Sequence, residues 1–379
     1  MDTIQFNRPY NSGSEIYNIA QSIINGYSAG DGDFCKSSEK LLQKMLSSPT
    51  HPLLTTSCTS ALEIAAIQSG YGKGDEFILP SYTFVSTANA FCLRGMKPIF
   101  CDIDEKTLNI NESLVSDLVT SNSKVVVPVH YAGISCDMDT LSQVANKSGL
   151  LVIEDAAQAI TSTYKGKSLG TMGDFGAFSF HETKNIICGE GGALVVKDQK
   201  RHQDSEIIRE KGTNRSQFFR GQVDKYTWRS IGSSYVLSDI LAAYLHAQLT
   251  NAASIQSRRI NLYNTYIERL SILAEKGLAK LPFIPEYNEH NAHIFYLLFD
   301  DNKARNGFID FMKKKGIMSV FHYIPLHLSP VGESYGYKRG QFPITEKVSE
   351  TIARLPLCSY YDEEVINKVC DSVLEYFGL

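Results

Sequence analysis

The sequence lacks the features that mark membrane-spanning, secreted and nucleic-acid-binding proteins. Its 379 residues contain no apolar run that approaches the ~18 residues of a membrane span. The N-terminus lacks the charged segment followed by an apolar one that forms a secretory signal. The 37 lysines and arginines against 41 acids leave a net charge of −4, so no polyanion-binding surface is expected. These absences predict a cytoplasmic protein with neither membrane nor nucleic-acid partners.

Metal-binding and disulfide patterns are also missing. Of the eight cysteines, no two stand in C-x-x-C spacing, and no Cys/His group matches a zinc template. Several cysteines lie in apolar runs, for example at 91–93 and 99–101, where a thiol behaves as a small hydrophobic side chain. We therefore expect reduced cysteines in the core and no metal site. The early strands are not followed by G-x-G-x-x-G, which disfavours a nicotinamide-dependent dehydrogenase.

What is present is a regular alternation of strand and helix patterns in a chain that is 43% hydrophobic. Apolar β-rich runs and helical patterns alternate between residues 53 and 196, which predicts a mostly parallel sheet flanked by helices. A helical stretch over 235–273, with a break near Asn251, precedes a second cycle with strands at 294–299 and 318–323 and a helix near 347–353. The N-terminal residues up to 36 are predicted to be an irregular arm. The prediction is an α/β protein with a large domain over 1–255 and a smaller C-terminal α/β domain over 256–379.

Two charged residues follow strands of the predicted sheet. Asp155 ends the run 151–155, and Lys184 follows the run 175–180. Ligands of parallel sheets bind beyond the carboxyl ends of the strands. There, a lysine can attach pyridoxal phosphate while an acid pairs with its pyridinium nitrogen and keeps the ring an electron sink. Taken singly, Asp155 would be interpreted as a helix cap and Lys184 as a surface lysine.

A candidate phosphate site strengthens this interpretation. Residues 57–60 (SCTS) join a strand to a helix, where backbone N–H groups and hydroxyls can hold an anion. The same residues are also common as ordinary helix caps. Residues 189–192 (GEGG) precede a strand rather than a helix, so we interpret them as a turn and not as a dinucleotide fingerprint.

Four longer segments make the pattern specific: 80–87 (PSYTFVST), 127–133 (VPVHYAG), 154–158 (EDAAQ) and 179–185 (SFHETKN). In these segments, and over essentially its whole length, the chain resembles the sugar-nucleotide aminotransferases of the DegT/StrS type, which are fold type I pyridoxal-phosphate (PLP) enzymes. The resemblance implies an aminotransferase that uses pyridoxal 5'-phosphate, with pyridoxamine phosphate as an intermediate, in a homodimer with active sites at the interface. Lysine rather than histidine at position 184 argues against the dehydratase branch of the family.

The resemblance also implies roles for single residues. Lys184 is the expected catalytic residue, which holds the cofactor and moves a proton, and Asp155 is the partner of the ring nitrogen. The other implied cofactor contacts are Gln158, the ring-stacking Phe84, and the phosphate contacts Cys58, Thr59, Ser179 and, from the second subunit, Ser233. The family commonly has Gly at Cys58 and Asn near Ser233, so only the backbone of Cys58 and the hydroxyl of Ser233 carry over. From the sequence alone, Phe84 would be a core residue at the start of a helix.

Two further segments, 209–229 and 321–327 (FHYIPLH), resemble the family members that aminate C4 of dTDP-4-keto-6-deoxyglucose with L-glutamate. They imply the product dTDP-4-amino-4,6-dideoxy-D-galactose, used in surface polysaccharide such as O-antigen or enterobacterial common antigen. The gluco epimer and a noncatalytic regulator that binds PLP or a sugar nucleotide stay open as alternatives. The implied substrate contacts are His181, Arg215, Arg220, Lys225, Tyr226 and His322. A nucleotide diphosphate explains the basic and aromatic residues among them with less surface than a nucleic acid.

Overall fold

The computed structural model describes residues 3–48 and 50–379. Within them the main sheet has seven strands in the order β1-β9-β8-β5-β4-β2-β3. The strands of this sheet are β1 (Leu53–Thr55), β2 (Glu76–Pro80), β3 (Lys97–Cys101), β4 (Ser123–Val126), β5 (Leu151–Asp155), β8 (Phe175–Ser179) and β9 (Gly192–Val196). Of these seven, β9 alone runs against the others. The predicted α/β fold with a mostly parallel sheet is confirmed.

Helices cover both faces of this sheet because its strands alternate apolar side chains between two cores. The helices are α1 (Glu15–Ile24), α2 (Asp33–Leu46), α3 (Cys58–Gln68), α4 (Val85–Cys92), α5 (Glu112–Leu118), α6 (Met138–Ser148), α7 (Gln199–Arg209), α8 (Arg215–Phe219), α9 (Asp239–Thr250), α10 (Ala252–Glu275), α11 (Asn302–Lys314), α12 (Pro330–Ser334), α13 (Pro343–Thr351) and α14 (Glu363–Tyr376). On β2, Ile78 packs into the core of α2, α6 and α9, whereas Phe77 and Leu79 pack into the core of α3, α4 and α7.

The C-terminal part builds its own core around a short antiparallel pair, β11 (Phe295–Leu298) and β12 (Ile352–Leu355). Side chains of α10, α11 and α14 pack with this pair, Phe308 and Val369 among them. A small sheet of β6 (Thr163–Tyr164), β7 (Lys167–Ser168) and β10 (Asn288–Glu289) adds an edge. The helix break expected near Asn251 is confirmed, because α9 ends at Thr250 and α10 begins at Ala252. Helix α10 runs through residue 255, and the division into 1–255 and 256–379 stays a prediction.

Two predicted elements of the C-terminal part are wrong. In the described chain, residues 318–323 form no strand, and Val320 makes only an isolated bridge to Arg354. The helix expected at 347–353 ends at Thr351, and the next four residues are strand β12. Pairing of β12 with β11 decides these conformations, and such a long-range contact overrides local propensity.

Helix α1 was not expected, since an irregular arm is predicted there; residues 1 and 2 of that arm lie outside the described residues. The helix buries Glu15 and Ser22, whereas Ile16, Ile23 and Ile24 are exposed. Glu15 accepts hydrogen bonds from the Gln248 amide and from the Ser12 backbone N–H. An ordinary amphipathic helix buries its apolar side, so the pattern of α1 is inverted within this chain.

All eight cysteines are free thiols, and all but Cys92 are buried, as expected from their apolar surroundings. In residues 3–48 and 50–379, no helix has the length and apolar character needed to cross a membrane. The same residues contain no group of three or more His, Cys, Asp or Glu side chains placed to hold a metal ion.

Candidate active site

A cleft of about 680 Å³ opens where β5 and β8 end. Asp155 is the last residue of β5 and Ser179 the last of β8, while Lys184 lies in the loop that follows β8. The predicted cofactor contacts that line this cleft are Cys58, Thr59, Phe84, Asp155, Gln158, Ser179 and Lys184. The position agrees with the rule that places ligands beyond the carboxyl ends of parallel strands.

Asp155 is held by two donors on its own chain. The Thr87 hydroxyl donates to Oδ2 at 2.7 Å, and the Ala157 backbone N–H donates to Oδ1 at 3.1 Å. Thr87 is itself 2.9 Å from the Thr83 hydroxyl, so the group that orients the carboxylate is also fixed. A buried carboxylate in one orientation suits pairing with the protonated nitrogen of a pyridine ring.

Lys184 lies in a tight turn, in which its backbone N–H donates to the carbonyl of His181 at 2.9 Å. Burial lowers the pKa of the Lys184 amine; the nearby Cys58 and Asp155 work against this shift, and the charge of Arg354 adds to it. A larger share of the side chain is therefore the neutral amine at a given pH. The neutral amine is the form that reacts with a carbonyl carbon.

The N-terminus of α3 forms the anion-binding end of the cleft. Ser57 caps the helix, because its Oγ accepts from the Ser60 backbone N–H at 3.0 Å. In the first turn, Cys58 is buried and the Thr59 hydroxyl donates to Ser86 Oγ at 2.7 Å. The free N–H groups and dipole of a helix start attract a phosphate group. This end of the cleft fits the phosphate of the cofactor.

Strand β9 begins directly against this helix start. A Cβ on Gly192, the first residue of β9, would overlap the backbone of Ser57 and Cys58. Residues 189–192 lead into that strand and not into a helix, which confirms that they are no dinucleotide fingerprint. The glycine is needed at position 192 because two backbones approach each other there.

We expect Gly192→Ala to weaken both the fold and cofactor binding, because the added methyl group displaces the start of α3. The free energy of unfolding should fall by about 1–3 kcal/mol, as for overpacked cores. Thermal unfolding measures the first effect, and titration with PLP the second. Gly307→Ala is the control, since a Cβ in α11 meets only the end of the Tyr376 side chain at 3.3 Å. Equal PLP affinity of the wild type and Gly192→Ala would contradict the role of α3.

Phe84 and Gln158 bound the cleft with an exposed ring and a fixed amide. Phe84 precedes α4 and is 56% exposed, so it is not the core residue that its sequence context favours. The Gln158 amide accepts from the Ala132 backbone N–H at 2.7 Å and donates to the Tyr323 hydroxyl at 2.9 Å. Both positions suit contacts with a flat cofactor ring.

Two of the predicted substrate contacts, His181 and His322, also line the cleft. The Nδ1 of His181 is 2.9 Å from the Thr183 hydroxyl. His322 is buried, its Nδ1 lies 2.7 Å from the Tyr131 hydroxyl, and its ring stacks on Tyr323 at 3.7 Å. Burial lowers the pKa of His322 well below its usual value, which keeps the ring neutral.

The other predicted contacts lie away from this cleft within the chain. Arg215 and Arg220 line a second cavity of about 770 Å³, where Arg220 forms a two-point ion pair with Glu206 at 2.8 and 2.9 Å. Ser233, Lys225 and Tyr226 are exposed. A single chain does not bring these five residues to Lys184, and their roles stay predictions.

Some residues of the cleft were not singled out from the sequence. They are Thr87, Asn185, His293, Tyr323 and Arg354. Asn185 donates to the Asn291 carbonyl at 2.7 Å and meets His293 Nδ1 at 2.8 Å. Thr87, Asn185 and Tyr323 stand inside the motifs already noted, which was the available signal. Arg354 could not be found, because a helix was expected up to residue 353.

The donor set fits PLP: a helix start for its phosphate, a fixed acid for its ring nitrogen and a buried lysine between them. Fold and site together define a PLP-dependent aminotransferase of fold type I. The family model described as the DegT/DnrJ/EryC1/StrS aminotransferase family matches residues 11–374, so the chain belongs to this family.

Individual relatives agree with this assignment. The chain is 36% identical over 321 residues to an uncharacterized protein of Methanocaldococcus jannaschii, covering 83% of this chain and 82% of that one. It is 35% identical over 331 residues to the spore coat polysaccharide biosynthesis protein SpsC of Bacillus subtilis, covering 85% and 84%. Among solved structures, the proposed sugar aminotransferase Spr1654 of Streptococcus pneumoniae superposes with a TM-score of 0.90 at 25% identity, covering 98% and 96%. That protein was also solved in PLP and pyridoxamine-phosphate forms.

Proposed function

We propose that the protein transfers the amino group of L-glutamate to C4 of dTDP-4-keto-6-deoxy-D-glucose. The product is dTDP-4-amino-4,6-dideoxy-D-galactose, a precursor for surface polysaccharide such as O-antigen or enterobacterial common antigen, made in the cytoplasm. The observation that carries the proposal is the placement of Asp155, Lys184 and the start of α3 around one cleft. The sugar class is supported by the names of the SpsC and Spr1654 relatives. The specific sugar is supported by segments 209–229 and 321–327.

The chain's own residues divide the work of this reaction. Bound PLP supplies an electron sink for the negative charge that develops on the substrate carbon next to nitrogen. Lys184 first holds the cofactor and then carries a proton to and from that carbon. Asp155 keeps the ring nitrogen protonated, and the N-terminus of α3 anchors the phosphate. His181 and His322 offer ring nitrogens to the sugar at the side wall of the cleft.

A second copy of the chain is part of this proposal. The segment after α8 exposes large apolar side chains, with Phe219 69%, Trp228 76% and Ile231 68% exposed. Exposed apolar groups at this density are typical of an interaction surface. We propose that the second copy brings Ser233 to the phosphate, and Arg215, Arg220, Lys225 and Tyr226 to the nucleotide diphosphate and thymine.

The product distinguishes the galacto enzyme from the gluco alternative. Purified protein with PLP, L-glutamate and the keto sugar should yield an amino sugar in which the NMR coupling between H3 and H4 is small, as for axial nitrogen. A large coupling would show the gluco epimer. The regulator alternative has a separate signature: glutamate would leave the absorbance of the lysine-bound cofactor unchanged. Such a result contradicts the proposed aminotransferase activity.

A further inference from the structure

Arg354 is a cation in the active-site cleft that the roles above do not use. It lies in β12, where its backbone pairs with Tyr296 of β11 and with Val320. Its side chain lines the same cleft as Lys184. Strand β12 is part of the C-terminal core and not of the main sheet, so Arg354 approaches the cleft from the wall formed by the C-terminal residues.

The guanidinium is held by one edge and one face. Its Nε and Nη2 donate to the Phe321 carbonyl at 3.3 and 2.9 Å. Its central carbon lies 4.6 Å from the centre of the Phe6 ring, a cation–π contact with the N-terminal arm. A guanidinium has five donors in a planar fork. Nη1 has no acceptor among the described residues, so one edge of the fork remains available to a ligand.

Neighbouring acids do not neutralise this charge. None of the acidic side chains in residues 3–48 and 50–379 forms an ion pair with Arg354 within 4.0 Å. The carboxylates that line the cleft have other partners, Asp155 with Thr87 and Glu190 with His181. Burial lowers the pKa of Arg354, and nearby tyrosines oppose that shift only in part. Burying a charge without a counter-ion is costly, and a bound anion would remove that cost.

We infer that Arg354 binds a carboxylate of the amino donor and thereby selects an amino acid over a simple amine; this inference rests on the proposed function. The available edge is planar and matches a carboxylate, which an arginine binds through two parallel hydrogen bonds. The donor must bring its amino group to the place of the Lys184 amine, and Arg354 shares the cleft with that amine. The cofactor phosphate already has a site at α3, on the main-sheet side of the cleft.

The inference is tested with PLP-loaded wild type, Arg354→Gln and Arg354→Lys. Stopped-flow absorbance gives the rate constant for conversion of the cofactor by L-glutamate and, separately, by n-butylamine, which has no carboxylate. Calorimetry with glutarate, an unreactive dicarboxylate, gives affinity without chemistry. For Arg354→Gln we expect the glutamate rate constant and the glutarate affinity to fall about 10- to 100-fold, as when a charged hydrogen bond is removed. Arg354→Lys should recover part of both, and the butylamine rate should not change.

Arg339→Gln is the matched control, because Arg339 is exposed and pairs with Glu350 at 2.7 Å, away from the cleft. An unchanged glutamate rate in Arg354→Gln would overturn the inference. A loss confined to the keto-sugar half-reaction would assign Arg354 to the nucleotide diphosphate and also overturn it. Equal losses with glutamate and butylamine would show a structural role only, a third contradicting result. These three outcomes leave the proposed function standing, whereas a wild type that no amino acid converts overturns both.

Discussion

Lys184→Ala is expected to abolish turnover of glutamate and keto sugar, with a fall of at least about 10⁴-fold, because the group that moves the proton is removed. The cofactor should still bind without a covalent bond, since the helix start at α3 and the carboxylate of Asp155 remain. The absorbance band of the lysine-bound cofactor should be missing, while the thermal stability should be close to that of the wild type. Steady-state kinetics and absorbance spectra of the loaded variant measure both effects.

The matched control for this variant is Lys197→Ala, in which an exposed lysine at the end of β9 is lost. It removes the same charge without touching the cleft and should keep wild-type turnover. A Lys184→Ala protein that still converts both substrates would refute the catalytic assignment. So would an unchanged absorbance band, because the cofactor would then be attached elsewhere.

The second large effect is expected for Asp155→Asn. Asparagine keeps the size of the side chain and can still accept from the Ala157 backbone N–H, but it lacks the charge that holds a proton on the cofactor ring. We expect kcat to fall about 10²- to 10³-fold, as when one preorganised electrostatic group is removed from an active site. The glutamate half-reaction, followed by absorbance in a single turnover, measures this step without product release.

Asp117→Asn serves as the control for this substitution, because Asp117 is exposed on α5. It should leave both the rate and the PLP affinity unchanged. An Asp155→Asn protein with wild-type rates would mean that the ring nitrogen needs no acidic partner here. A fall in thermal stability equal to the fall in rate would instead assign Asp155 a structural role.

The cofactor end of the cleft was predictable because each contributing residue directly follows or precedes an element with a clear pattern. Asp155 and Ser179 end apolar strands, and Cys58 and Thr59 begin a helix, so the common edge of a parallel sheet brings them together. Period and turn residues locate such positions from local sequence alone.

The side wall was harder, because long-range pairing determines it. Arg354 faces the cleft only because β12 pairs with β11, more than fifty residues earlier, and local sequence instead predicted a helix up to residue 353. Helix α1 was missed for a related reason, since its buried side is polar and its isoleucines are exposed. Ser233 and Arg215 were predicted from the resemblance and lie outside the cleft of one chain, so only a second copy can bring them to it.

The most direct test of the account is the identity of the residue that holds the cofactor. Borohydride reduction of the PLP-loaded protein fixes the cofactor to its lysine, and mass spectrometry of a digest then locates it. The account predicts a single modified peptide that carries the cofactor on Lys184. A cofactor fixed to another lysine, or none fixed at all, would contradict it.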